Sequence, residues 1–131
     1  MLESAFYQRG HEMKFLFLTS ATVIAAVALS GCAAPSSSAR SAGPSKVLSS
    51  AKQASAVAQC IQVTWQNEAM FGTSSDVFLH DLAGGGFTVF TTESKYFADV
   101  QSKGPATAVE FYAPQGDAQA ALRSAAIATC L

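Results

Sequence analysis

Residues 76–113, DVFLHDLAGGGFTVFTTESKYFADVQSKGPATAVEFYA, decide the fold. Four segments within them are short and rich in β-branched and aromatic side chains: Asp76 to Leu82, Phe87 to Thr92, Tyr96 to Gln101 and Thr107 to Ala113. Such side chains suit a pleated surface. Between them lie Ala83-Gly84-Gly85-Gly86, Glu93-Ser94-Lys95 and Ser102-Lys103-Gly104-Pro105, all of turn composition. In the last segment Val109, Phe111 and Ala113 alternate with Glu110 and Tyr112, the pattern of a sheet with one covered face. The third segment reads as a strand or as a helical turn, because YFADV suits both. Together they predict an antiparallel sheet of three or four strands.

Upstream, Val47, Ala51, Ala54, Ala58, Ile61 and Trp65 recur at spacings of three and four, which places them on one face of a helix. Ser50 with Gln53 fits a capping box, and Ser45 offers a start one turn earlier. Asn67 and the Phe71-Gly72 region mark its exit. Downstream, Pro114 and Gly116 end the last strand, Asp117 can cap, and the alanine-rich run DAQAALRSAAIATCL (117–131) favours a second helix. There Leu122, Ala126 and Cys130 share a face. The order is helix, sheet, helix: an α+β fold with both helices on one face and a single domain over residues 46–131.

The chain before this domain carries an address. From Met13 it reads MKFLFLTSATVIAAVALSGC, with Lys14 as a short positive region and Phe15 to Leu29 as an apolar run. That run is shorter than the roughly 20 residues a membrane-spanning helix needs. It closes on Leu29-Ser30-Gly31-Cys32, which resembles the lipobox of bacterial lipoproteins. The resemblance covers residues 13 to 32 and implies that the Cys32 thiol is diacylglycerated, that residues 13–31 are cut away as a signal peptide, and that the new amine is acylated. Two or three acyl chains make a lasting anchor where one does not. Ala33 and Ala34 follow the cysteine, where the enterobacterial sorting rule places Asp for retention at the inner membrane. The resemblance therefore implies the outer membrane, facing the periplasm. The mature part looks like the small lipoproteins of proteobacteria, in architecture alone.

Residues 1–12, MLESAFYQRGHE, put Glu3 and Glu12 ahead of the apolar run, where export signals prefer positive charge. They read as a start-site extension, with Met13 as the true start. Residues 32–45 are rich in Ser, Ala, Pro and Gly, a composition that predicts a flexible, lipidated tether.

With Cys32 lipidated, Cys60 and Cys130 remain. In an oxidising compartment two such residues in a small domain pair. Each lies on the apolar face of one helix, so a bridge would pin the helices together. A closed loop of about 70 residues makes that worth about 4 kcal/mol in the chain-entropy account.

Charge narrows the function. Residues 32–131 carry six Lys and Arg against seven Asp and Glu, with no basic stripe to grip phosphates, which argues against a nucleic-acid partner. The sole histidine of this part, His80, sits beside Asp81. Adjacent strand residues face opposite ways, so Asp81 is badly placed to orient His80 as a base for a serine or Cys60. One histidine and two bridged cysteines do not make a zinc set. Gly84-Gly85-Gly86 lacks the Lys-Ser/Thr of a phosphate loop and reads as a hairpin turn. Trp65 and Phe71 at helical spacing read as core. The expectation is therefore an envelope lipoprotein without catalytic residues, cofactor or metal. Its partners would be the bilayer, through Cys32, and another envelope component. The rival expectations are a binder or inhibitor of an external enzyme and, less well supported, a hydrolase using His80.

Overall fold

The computed structural model describes residues 34–67 and 76–131. The chain divides into two units, residues 1–31 and 32–131, and all described residues belong to the second. Cys32, the lipobox, Glu68 and the expected helix exit at Phe71-Gly72 lie outside them.

The elements run α1 (Ser37–Arg40), β1 (Lys46–Ser50), α2 (Ala54–Gln66), β2 (Val77–Asp81), β3 (Phe87–Thr91), β4 (Phe97–Lys103), β5 (Ala106–Tyr112) and α3 (Ala118–Ala128). The strands form one antiparallel sheet in the order β1-β5-β4-β3-β2. The fold is the expected α+β arrangement, with five strands rather than three or four. The ambiguous YFADV segment is strand, because Phe97 to Lys103 pair along their whole length with β5.

The turns follow the sequence. Leu82 and Gly86 close the β2–β3 hairpin through Leu82 N–H donating to Gly86 O, 3.0 Å. Gly86 itself has φ +91°, and a Cβ there would run into the Val100 carbonyl of β4. Only glycine permits both that conformation and that approach.

Both helices pack on one face of the sheet. Val57, Ala58, Ile61 and Trp65 of α2 meet Ala126 and Ile127 of α3 over Val89, Ala98, Val100, Val109 and Phe111. The Trp65 ring meets Phe111 edge-on at 6.0 Å, and its indole N–H donates to the Arg123 carbonyl at 3.2 Å. The Arg123 guanidinium lies over both Trp65 and Tyr96, 5.3 and 5.2 Å from the ring centroids. A buried arginine between two aromatic faces recovers from their quadrupoles part of what it loses from water.

Three local expectations fail. The helix expected from Val47 begins at Ala54, and Lys46–Ser50 is the edge strand β1. Val47, placed on the core face by periodicity, is 63% exposed. Pairing with β5 supplies what local spacing did not reveal, since Leu48 opposes Val109 and Ser50 opposes Thr107. The capping box is absent: Gln53 occupies the N-cap position without a side-chain cap, and Ser50 Oγ instead accepts from Lys52 N–H. Leu122 is 49% exposed, because α3 buries Arg123, Ser124, Ala126 and Ile127. The Asp117 cap is as expected, its Oδ1 accepting from Gln119 N–H at 2.8 Å.

The stretch expected to be a flexible tether is also structured where it is described. Ser36 caps the short α1, Arg40 reaches β4, and Ser45 N–H donates to Phe111 O at 2.7 Å. Composition predicted a linker; the contacts of Arg40 with Asp99 and Thr88, and those of Ser45 with Phe111 and Ala113, hold it to the domain.

Candidate functional site

Of the residues singled out by sequence, Cys60 and Cys130 are bonded to each other, joining α2 to the end of α3. Thr64 Oγ1 lies 3.9 and 3.7 Å from the two sulfurs, and Lys52 Nζ donates to the Cys130 carbonyl. This is a staple, and it leaves no thiolate at Cys60 to serve as a nucleophile. His80 is exposed on β2, with its ring edge-on to Phe90 at 5.0 Å. Asp81 follows it on the strand and so points to the other face. Among the described residues, no group of three His, Cys, Asp or Glu side chains could hold a metal ion. The glycine turn 84–86 borders a shallow polar hollow of about 240 Å³ beside Gln101, Ser102 and Lys103, and Gln101 Nε2 donates to Gly85 O.

The denser chemistry lies on the sheet face away from α2 and α3. Strand alternation sends Phe78, Phe90, Phe97 and Tyr112 there, and the register lines them up across four strands. Phe78 stacks on Phe90 at 5.3 Å, and Phe97 on Tyr112 at 4.4 Å with planes 9° apart. Phe90, Phe97 and Tyr112 are all buried and form a second apolar cluster. The next row along the strands is polar: Thr88 opposes Asp99, and Asp99 opposes Glu110. Two carboxylates directly across a strand pair repel, so a cation is needed beside them.

That cation is Arg40. Its Nε donates to Asp99 Oδ2 at 2.6 Å and its Nη2 to Asp99 Oδ1 at 2.8 Å, the two-pronged geometry that guanidinium and carboxylate share. The guanidinium also lies 5.1 Å from the centre of the Phe97 ring. Its Nη1 turns back to donate to the carbonyls of Pro35 and Ser36. The hydrogen bond to Asp99 raises the Arg40 pKa above its already high ordinary value. Asp99 is only 5% exposed, so this pair works in a less watery setting than most surface ion pairs. Glu110 takes a different partner, its Oε2 accepting from the Tyr112 hydroxyl at 3.1 Å. Burial, then that hydrogen bond, pushes the Tyr112 phenol up to about 12.

Beside this cluster a cleft of about 310 Å³ opens between the 39–45 segment and the Phe97–Tyr112 end of the sheet. The arrangement gathers two carboxylates, a hydroxyl and the buried, mutually stacked rings of Phe97 and Tyr112 around one cation. Sequence alternation already put Glu110 and Tyr112 on one face; it gave no sign that Asp99 or Arg40 would join them. No family model, curated protein or solved structure matches this chain, and the site stands on its own geometry.

Proposed function

We propose that this chain is a lipid-anchored protein of the bacterial envelope whose domain binds another molecule rather than catalysing a reaction. The observation that carries the reading is Leu29-Ser30-Gly31-Cys32 at the end of a short apolar run, four residues before the capping Ser36. Acylation at Cys32 would tie the domain to a bilayer, and the Ala33-Ala34 pair favours the outer membrane. The staple between Cys60 and Cys130 suits an oxidising compartment. The partner, here an envelope component, would meet the domain at the cleft between the 39–45 segment and the Phe97–Tyr112 end of the sheet.

Labelling with a radioactive fatty acid, followed by mass measurement of the mature N-terminus, tests the anchor. The expected product begins at Cys32 and carries the label, and Cys32→Ser accumulates as an unlabelled precursor. A membrane-held, unprocessed and unlabelled wild-type protein would overturn the reading. Crosslinking in intact cells tests the partner, with an envelope protein as the expected product. Recovery of an externally added enzyme instead would favour the inhibitor reading.

A further inference from the structure

We propose that Asp99, Phe97 and Tyr112 form a guanidinium-binding site that the chain's own Arg40 occupies, and that an arginine side chain of a partner takes Arg40's place. This deepens the reading of the domain as a binding module, and it is independent of whether Cys32 is acylated.

Three observations carry it. First, the site already holds a guanidinium in a specific pose. The two-pronged contact to Asp99 and the Phe97 ring beneath are features a lysine ammonium would use far less well. Second, the charges do not balance on the spot. Arg40 faces both Asp99 and Glu110, so the polar row stays acidic when the site is filled and attracts a further cation.

Third, the segment that brings Arg40 is lightly held. The helix α1 has four residues, none of them buried, and a helix that short does not persist by itself in water. Beyond Asp99, its one side-chain hydrogen bond to the sheet is a long one, Arg40 Nη2 to Thr88 Oγ1 at 3.5 Å; the others are internal, with Ser36 Oγ accepting from Ala39 N–H, Ser41 Oγ donating to Ser38 O, and Arg40 donating to Pro35 and Ser36. The cleft between this segment and the sheet, lined by Ala39, Ala42, Phe97, Tyr112 and Pro114, leaves room for an incoming side chain. One residue thus acts as latch and as stand-in for the ligand. Releasing it frees residues 35–44 as extended chain while β1 stays paired.

The test uses the full chain extracted in detergent, with acetyl-arginine amide as the probe and acetyl-citrulline amide and acetyl-lysine amide as comparators. Binding is read from the ring-proton resonances of Phe97 and Tyr112. Arg40→Ala is expected to bind the arginine probe at least 10-fold more tightly than the wild type, because the competitor in cis is gone. Citrulline, which keeps the shape and loses the charge, is expected not to bind, and lysine to bind weakly. Adding Asp99→Asn to Arg40→Ala is expected to abolish the gain. Arg40→Gln serves as a second vacated variant, and a wild-type far-ultraviolet dichroism spectrum with a cooperative urea transition shows that each variant is folded. Equal affinity in wild type and both vacated variants overturns the proposal, as does arginine binding that survives Asp99→Asn. Failure of acylation at Cys32 would leave these outcomes unchanged, so the two readings fall separately.

Discussion

The two faces of this sheet solve the burial problem differently. Against α2 and α3, the strands present Val89, Ala98, Val100, Val109 and Phe111, a mainly apolar layer closed by Trp65 and clamped by a disulfide. On the other face the same strands present Phe90, Phe97 and Tyr112, interleaved with Thr88, Asp99 and Glu110 and joined by a single arginine from a short upstream helix. One face gains stability from area removed from water, which carries no charge to titrate or screen. The other depends on charge pairing at partial burial, which is conditional and exchangeable. The contrast separates scaffold from site.

The contrast predicts a hierarchy of effects. Trp65→Ala removes the largest side chain of the closed face, and is expected to cost about 3–5 kcal/mol, a large part of the stability of so small a domain. Urea denaturation followed by far-ultraviolet dichroism measures it, and a loss below about 1 kcal/mol would deny Trp65 its central place. Replacing both Cys60 and Cys130 by alanine is expected to lower stability by about 2–4 kcal/mol, mostly by freeing the unfolded chain. The same denaturation curves, taken with and without reductant, should converge on the double variant.

On the opposite face effects should be smaller and local. Asp99→Asn removes the charge that holds Arg40, and is expected to cost about 1–3 kcal/mol. Its clearer signature is exposure of the 35–44 segment, read as several-fold faster trypsin cleavage after Arg40 with the rest of the domain intact. Cleavage at the wild-type rate would mean that the segment is held by something other than this pair. The smallest effect is in pH dependence. The Tyr112 phenol ionises with more difficulty in the folded protein than in the unfolded chain, about 12 against an ordinary value near 10. Its contribution is therefore complete below about pH 10 and is lost as pH climbs towards 12. Tyr112→Phe should show a flatter decline than the wild type across that window, and parallel curves would remove Tyr112 from the account.

How much of this was legible depended on how local the determinants are. Alternation in Thr107 to Ala113 gave both the strand and the two-faced character of the sheet, because side chains two apart necessarily share a side. Asp117 announced α3 by the same kind of short-range logic. Val47 misled because a spacing of four to Ala51 mimics a helix, whereas the partner that makes Lys46–Ser50 a strand is β5, far along the chain. Leu122 misled because hydrophobicity alone ranks it above Arg123, whereas the arginine is the inward residue, set against the rings of Trp65 and Tyr96. The site was half legible. Glu110 and Tyr112 followed from alternation, but Arg40 sits in a stretch of linker composition and meets Asp99 across 59 positions. No periodicity spans that distance.

The strand order carries a consequence for how the molecule assembles. Strands β2 to β5 are sequential neighbours joined by tight turns, so each can zip onto the last with little loss of chain freedom. The first strand made is the exception: β1 finds its place only beside β5, after the meander that follows it exists. The earliest part of the domain to be synthesised is thus expected to be the last to dock. Native-state hydrogen exchange would show it as β1 amides opening at lower cost than those of β3, β4 and β5.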